Sequence, residues 1–303
     1  MSLDLSKTPL ADRPVVVAGL SMLMTAANAT IIGGPAIYAA LGVRHSGIST
    51  ALLTAVGQDL ADADAAVAAF VDDEHAPLRK KLARPMINWS SPAILGDTGG
   101  GTLSDDPSLW RAMPADNDSI NGSALILANG DPAWYQALLT TCTPSLIFMD
   151  AHMEWLRVRE KALNACMQKA QVITITETEY KALPLASKSG VTFGGDDKVL
   201  IIKRGAQGVT ILAEHQRRDL PPPSPTVIRT DVGCGDLLIG LLAGQFIATL
   251  PMEPQTLIDH LSKAYLNSLN QLSELIESDN PRAFIDHRIS QCQLRSKVGV
   301  HEN

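Results

Sequence analysis

Short apolar runs alternate along this chain with longer stretches of helical period, the pattern of a parallel sheet covered on both faces. The runs Val15–Gly19, Ser49–Val56, Ala124–Ala128, Ser145–Met149 and Gln171–Thr174 predict strands, with a helix between each of the last three. Gly33-Gly34-Pro35 opens an Ala-rich helix, with proline where a first helical turn tolerates it. Asp59 starts a second Ala-rich helix, acidic on one face, that runs to Phe70. Lys198–Ile202 and Gly208–Leu212 flank the turn Arg204–Gln207 and predict a hairpin. A stiff Pro221–Pro225 stretch leads into a predicted strand over Thr226–Arg229, a glycine turn and two helices. Residues 84–118 break the alternation and read as loop and edge hairpin, the kind of segment that carries function.

Composition narrows the class. With 303 residues, 46% hydrophobic and 19% charged, the chain has the balance of a globular protein with one large α/β domain or two small ones. A net charge of −7 without any basic block argues against nucleic acid as a partner. The four cysteines (Cys142, Cys166, Cys234, Cys292) lie far apart, which fits a reducing compartment and argues against a cysteine zinc site. The opening MSLDLSKTPLADRP is polar without an apolar signal core, and the longest apolar run, LLIGLLAGQFIATL, is too short to span a bilayer. A cytoplasmic protein without a membrane partner is expected.

Candidate chemistry concentrates in Thr230-Asp231-Val232-Gly233-Cys234-Gly235-Asp236, ahead of an apolar helix. The stretch admits two readings. After a strand, Asp-x-Gly-Cys-Gly matches the turn on which methyltransferases hold S-adenosylmethionine. At a helix start, Gly-x-Gly-Asp aims several backbone N–H groups at one point, and the helix dipole adds positive potential there. Glycines keep side chains from barring a phosphate from that backbone. The first reading needs most of a doubly wound sheet downstream, with an acidic ribose-binding residue about 20 residues on. Here the turn sits at residue 233 of 303 with two helices to follow, which favours the second. Gly96–Thr102 lacks the lysine of a P-loop, and neither His-Glu-x-x-His nor Gly-x-Ser-x-Gly occurs.

Three segments, in order, carry a resemblance: GGPAIYAALGV…TALLTAVGQD, VLIIKRGAQGVTIL, and GCGD before an apolar helix. Over roughly residues 15 to 270 the chain resembles the ribokinase-like (PfkB) carbohydrate and nucleoside kinases, as a divergent member. The resemblance implies a ribokinase-like three-layer α/β/α sandwich with a mostly parallel central sheet. That domain would occupy residues 13–290, between a flexible N-terminal tail (1–12) and a C-terminal tail (291–303). It also implies ATP- and magnesium-dependent transfer of the γ-phosphate to a hydroxyl of a sugar, nucleoside or related hydroxymethyl compound. Asp236 would take the hydroxyl proton, and Gly233, Cys234 and Gly235 would form the anion hole. Thr176 to Glu179 stands where the family has Asn-x-x-Glu, so Glu179 would organise magnesium through water. Lys203, Gly205 and Gly208 stand where it has Thr-x-Gly-x-x-Gly beside the nucleotide, and Lys203 offers a charge to a phosphate. On the acceptor side the resemblance points to Gly33, Gly34, Asn28 and Tyr38.

The chain also departs from that family. No Asp follows the first strand, and only about fourteen residues separate Gly19 from Gly33, so a reduced or absent lid is expected, with 84–110 as its replacement. Asn28, Asp97 and Asp150 are further candidates for polar contacts to the acceptor, and His152 stands two residues beyond Asp150. The signature begins Thr230-Asp231 where the family has Asp-Thr, which leaves activation by a monovalent cation open. Cys234 replaces the usual Ala; a helix N-terminus would lower its thiol pKa, and packing would leave it inert. These departures keep open a catalytically quiet nucleotide- or sugar-binding relative. Monomer and homodimer are equally open.

Overall fold

Branched aliphatic runs become the centre of a nine-stranded sheet. A computed structural model describes residues 10, 13–26, 29–59, 79–90, 102–112, 118, 120–183, 198–213, 215–229, 231–250 and 256–278. Its strands are β1 (Val15–Ala18), β2 (Met22–Ala26), β3 (Ala29–Gly33), β4 (Thr50–Val56), β5 (Arg79–Lys81), β6 (Asn88–Ser90), β7 (Thr102–Leu103), β8 (Ala124–Leu127), β9 (Leu146–Asp150), β10 (Val172–Thr176), β11 (Val199–Lys203), β12 (Val209–Ala213) and β13 (Gln216–Leu220). The main sheet runs β13-β12-β11-β10-β9-β8-β1-β4-β5. From β11 to β5 every pairing is parallel; β12 and β13 join antiparallel. Strands β1, β4, β8 and β9 are buried at every residue, which is why they read as unbroken apolar runs rather than alternating ones.

A parallel sheet delivers the carboxyl ends of its strands to one edge. Register then decides which residues meet there. Thr174 pairs with Asp150, and Thr176 pairs with Lys203, so the ends of β9, β10 and β11 bring these side chains together.

The α-helices among the described residues are α1 (Pro35–His45), α2 (Pro132–Thr141), α3 (Met153–Val158), α4 (Glu160–Lys169), α5 (Glu177–Ala182), α6 (Cys234–Ala248) and α7 (Leu257–Glu277). Helix α6 is apolar nearly all round because it packs on β8 and β9 between α1 and α7. Its contact with α1 is backbone against backbone. A Cβ added to Gly240 would lie 2.0 Å from Ala39 O, and one added to Gly42 would lie 2.5 Å from Leu241 N.

A second sheet, β3-β2-β6-β7, stands where the lid was in question. Strands β2 and β3 pair antiparallel with Met22 opposite Gly33, and β6 and β7 come from the irregular segment. A small lid-like sheet is therefore present among the described residues.

One predicted strand fails. Thr226–Arg229 is irregular, and its Ile228 is 62% exposed. Prolines 221–223 and 225 offer no N–H to a ladder. The segment instead ties onto the end of α7, through Thr226 N–H to Glu277 Oε1 (2.5 Å) and Arg229 N–H to Ile276 O (2.8 Å). Without a strand before the glycine turn, the methyltransferase arrangement loses its scaffold. The predicted β11–β12 hairpin is present and is lengthened by β13, whose QRRDL sequence gave no strand signal. Beyond Asp59 itself, the helix predicted to run to Phe70 lies outside the described residues, as does the C-terminal tail, whereas Leu10, within the expected N-terminal tail, is buried. Among the described residues no helix is long and apolar enough to cross a membrane.

Candidate active site

The carboxyl ends of β9, β10 and β11 face the start of α6, and four charged residues converge there. Asp150 ends β9. Its Oδ1 accepts from Lys203 Nζ at 2.6 Å and from the Thr174 hydroxyl at 2.5 Å. The ion pair is largely withdrawn from solvent, with side-chain exposures of 14% for Lys203 and 6% for Asp150. Burial works against the Lys203 charge, yet the charge and hydrogen bond of Asp150, with Glu179 and Asp236 beyond, hold the ammonium above its ordinary pKa.

Asp236 lies in the first turn of α6. Burial, then the charge of Asp150, push its carboxyl up to about 7; Lys203 pulls it down and Glu179 adds to the rise. The helix start has no side-chain cap, and the Cys234 N–H turns back to Asp231 O at 3.2 Å. The Gly235 N–H has no acceptor among the described residues and belongs to the set of donors a helix leaves for a ligand. Gly235 also sits close to Lys203: a Cβ there would be 3.1 Å from Nζ. The Cys234 thiol is pushed up to about 12 by burial first and then by Asp231 and Asp236, so burial outweighs the helix start.

Gly233 caps the helix with φ of +81°, in the left-handed region, and a Cβ there would meet the Tyr38 ring at 2.7 Å. Tyr38, on α1, is thereby packed beneath the turn. Its hydroxyl is buried without a hydrogen-bond partner among the described residues, and burial with the nearby Cys234 and Asp236 raises its pKa. One turn earlier, Gly34 opens α1, and its N–H donates to Met24 Sδ at 3.1 Å; Gly33 lies under the same methionine. Gly33 and Gly34, expected on the acceptor side, thus adjoin the turn through Tyr38, while Asn28 and Asp97 fall outside the described residues.

Thr176 and Glu179 form a capping box at the start of α5. Glu179 is buried, and both its oxygens are used: Oε2 accepts from Thr176 N–H (2.8 Å) and Oγ1 (2.6 Å), and Oε1 from Met153 N–H (2.9 Å). Gly205 lies in an exposed turn near Lys203. Gly208 is fixed by packing, since φ is +80° and a Cβ would lie 2.0 Å from Leu220 O. His152 caps α3 through Nδ1, which accepts from Glu154 N–H at 3.4 Å. Among the described residues no group of three or more His, Cys, Asp or Glu is spaced to hold a metal.

The sequence marks Asp236, Lys203 and Glu179 separately, and the structure gathers Asp236, Glu179 and Asp150 around Lys203. The sequence alone gives no functional sign of Thr174 and suggests Asp150 only as an acceptor contact. The signal for both was their position at or near strand ends, which becomes informative only once register is known.

No protein-family model matches this chain, and no curated protein matches it. Solved structures do. Fructokinase of Xylella fastidiosa with bound ATP aligns with a TM-score of 0.68 at 11% identity, over 93% of this chain and 99% of that one. Fructokinase of Vibrio cholerae O395, bound to fructose, ADP and calcium, gives 0.66 at 13% identity, over 91% and 96%. The Methanocaldococcus jannaschii nucleoside kinase, an archaeal member of the ribokinase family, gives 0.64 at 12% identity, over 92% and 99%. At such identities the likeness is one of architecture, and it extends over nearly the whole length of each chain: this protein has the ribokinase-like α/β fold.

Proposed function

We propose that this chain is a kinase that transfers the γ-phosphoryl group of ATP to an alcohol of a sugar, nucleoside or related small molecule. The observation that carries the reading is the position of Asp236, in the first turn of α6 beside the uncapped Gly235 N–H and the Lys203 ammonium. The fructose- and nucleoside-directed relatives of the same fold support the acceptor class without choosing within it.

Transfer needs a nucleophile in line with the leaving oxygen and charge neutralised on the moving group. The acceptor oxygen bonds to the γ-phosphorus, the bond to the bridging oxygen breaks, and its electron pair leaves with ADP. The acceptor proton passes to the Asp236 carboxylate. The Gly233–Gly235 turn holds the anionic group at the helix start, with N–H donors and dipole working together. Glycine at 235 leaves the space that a side chain would fill against Lys203. Glu179 would hold a magnesium ion carried in on the nucleotide phosphates through water rather than directly, since both its oxygens already accept protein donors. Magnesium would add neutralising charge on those phosphates.

The test is ATP-dependent phosphorylation across a tray of sugars, nucleosides and hydroxymethyl heterocycles, with Asp236→Asn beside the wild type. The variant should lose about 10²- to 10⁴-fold in kcat while keeping nucleotide affinity. Full turnover by the variant would remove Asp236 as base, and ATP binding without transfer to any alcohol would favour the catalytically quiet relative.

A further inference from the structure

The Lys203–Asp150 pair is costly for what it gives the fold. Buried ion pairs lose hydration that their attraction rarely restores, and apolar replacements are often as stable. This one joins two strand ends, β9 and β11, already bridged by the parallel ladder of β10. Its ammonium lies beside Gly235, at the uncapped start of α6. The charged and titratable groups around it are Asp150 from β9, Glu179 from α5 and Asp236 with Cys234 from α6. Tyr38 from α1 and Tyr135 from α2 also sense Asp236. Three carboxylates against one ammonium is a poor receptor for a polyphosphate while the ammonium remains bound to a carboxylate.

We propose that Lys203 is a catalytic residue that exchanges Asp150 for the transferring phosphoryl group, and that Asp150 is the positioning residue that holds the ammonium at the helix start until the nucleotide arrives. The inference rests on the kinase reading and deepens it. A lysine suits the task because its charge sits on a flexible four-carbon stem with three donors. As the acceptor oxygen bonds to phosphorus and the bridging oxygen departs with its electron pair, Lys203 keeps its protons and supplies charge alone. The acceptor proton still goes to Asp236.

The experiment compares wild type, Asp236→Asn, Lys203→Met and the double variant Lys203→Met/Asp150→Asn. Three readouts are taken: thermal melts, ADP affinity by calorimetry, and kcat. A purely structural pair would make the single variant sick through an orphaned carboxylate and let the double variant recover fully. Under the proposal the double variant melts like wild type and binds ADP like wild type, yet its kcat stays lower by about 10²-fold, the scale of one lost transition-state donor. A double variant with wild-type kcat overturns the proposal. So does a loss of ADP affinity as large as the loss of kcat, which would make Lys203 a ground-state anchor. The Asp236→Asn control separates the two levels: if it is inactive while the double variant is active, only this inference falls. If wild type phosphorylates no alcohol, the kinase reading falls and takes the inference with it.

Discussion

Gly240→Ala is the sharpest test of how the two halves of the site are held together. The added methyl would sit 2.0 Å from Ala39 O, 2.7 Å from Ala39 C and 2.8 Å from Ala39 Cα. All three are main-chain atoms of α1, so no rotamer change relieves the overlap. An ordinary carbon–oxygen contact needs about 3.3 Å, so α1 and α6 must part locally by about 1.3 Å. Overpacking costs about 1–3 kcal/mol, and an overlap with main-chain atoms alone falls in the upper part of that range, about 2–3 kcal/mol, against which alanine returns about 1 kcal/mol of helix propensity. A net loss of about 1–2 kcal/mol should appear in urea unfolding, and at about 2–4 °C per kcal/mol as a lower melting temperature. Gly244→Ala provides the internal comparison, because its nearest atom is the Ser46 Oγ at 2.8 Å, which can rotate away, and its nearest main-chain contact, Val43 Cα, lies at 3.0 Å rather than 2.0 Å. Gly42→Ala opens the same contact from the α1 side, so the Gly42/Gly240 double variant should cost less than the sum. A Gly240→Ala protein as stable as wild type, or more stable than Gly244→Ala, would refute the close-contact account.

Further expectations concern the charged cluster. As the proposed base, Asp236 would have to be ionised to accept a proton, and its carboxyl is pushed up to about 7, so kcat/KM should rise with pH through about 7 and level off above it; an acid limb near the ordinary carboxylate value would contradict this. The folded protein holds that proton more tightly than the unfolded chain, so stability falls as pH climbs from 3.8 towards 7, and the full penalty applies above 7. Asp236→Asn should therefore raise the urea midpoint at pH 8 and lose that advantage towards pH 4, whereas equal midpoints at pH 8 would count against the shift. Glu179→Ala strands the Thr176 and Met153 N–H donors and should cost about 1–3 kcal/mol, with Glu179→Gln costing less, both measured by thermal melts. Native protein at pH 8 should leave Cys234 unlabelled by iodoacetamide while denatured protein labels it, since burial keeps the thiol protonated; rapid native labelling would show the helix start winning instead.

Much of the sheet was legible because a strand buried on both faces writes itself as a continuous apolar run, as Val15–Ala18 and Leu146–Asp150 do. The glycine turn and Lys203 were legible because their residue types are unusual at those positions. Register was not. Asp150 becomes part of a cluster only through its pairing with Thr174, and Thr176 with Lys203, and no local window contains those pairings. Strand β13 hid for another reason: as the edge of the sheet it carries Gln216, Arg217, Arg218 and Asp219, which read as loop. Val227 and Ile228 misled in the opposite sense, being β-formers placed after prolines and left on the surface.

The α1–α6 contact has a consequence for how such a protein can change its acceptor. Where backbone touches backbone at Gly42, Gly240 and Ala39, no side chain can be trimmed or enlarged to widen the gap between the two helix starts. That spacing is a fixed gauge. On the proposed kinase reading, with the acceptor beside Gly33 and Gly34, its fit would be varied from the other side, in the small second sheet, where Met24 lies over both glycines and a flexible thioether can be exchanged at low structural cost. Libraries aimed at new acceptors belong on β2, with the helix pair left untouched.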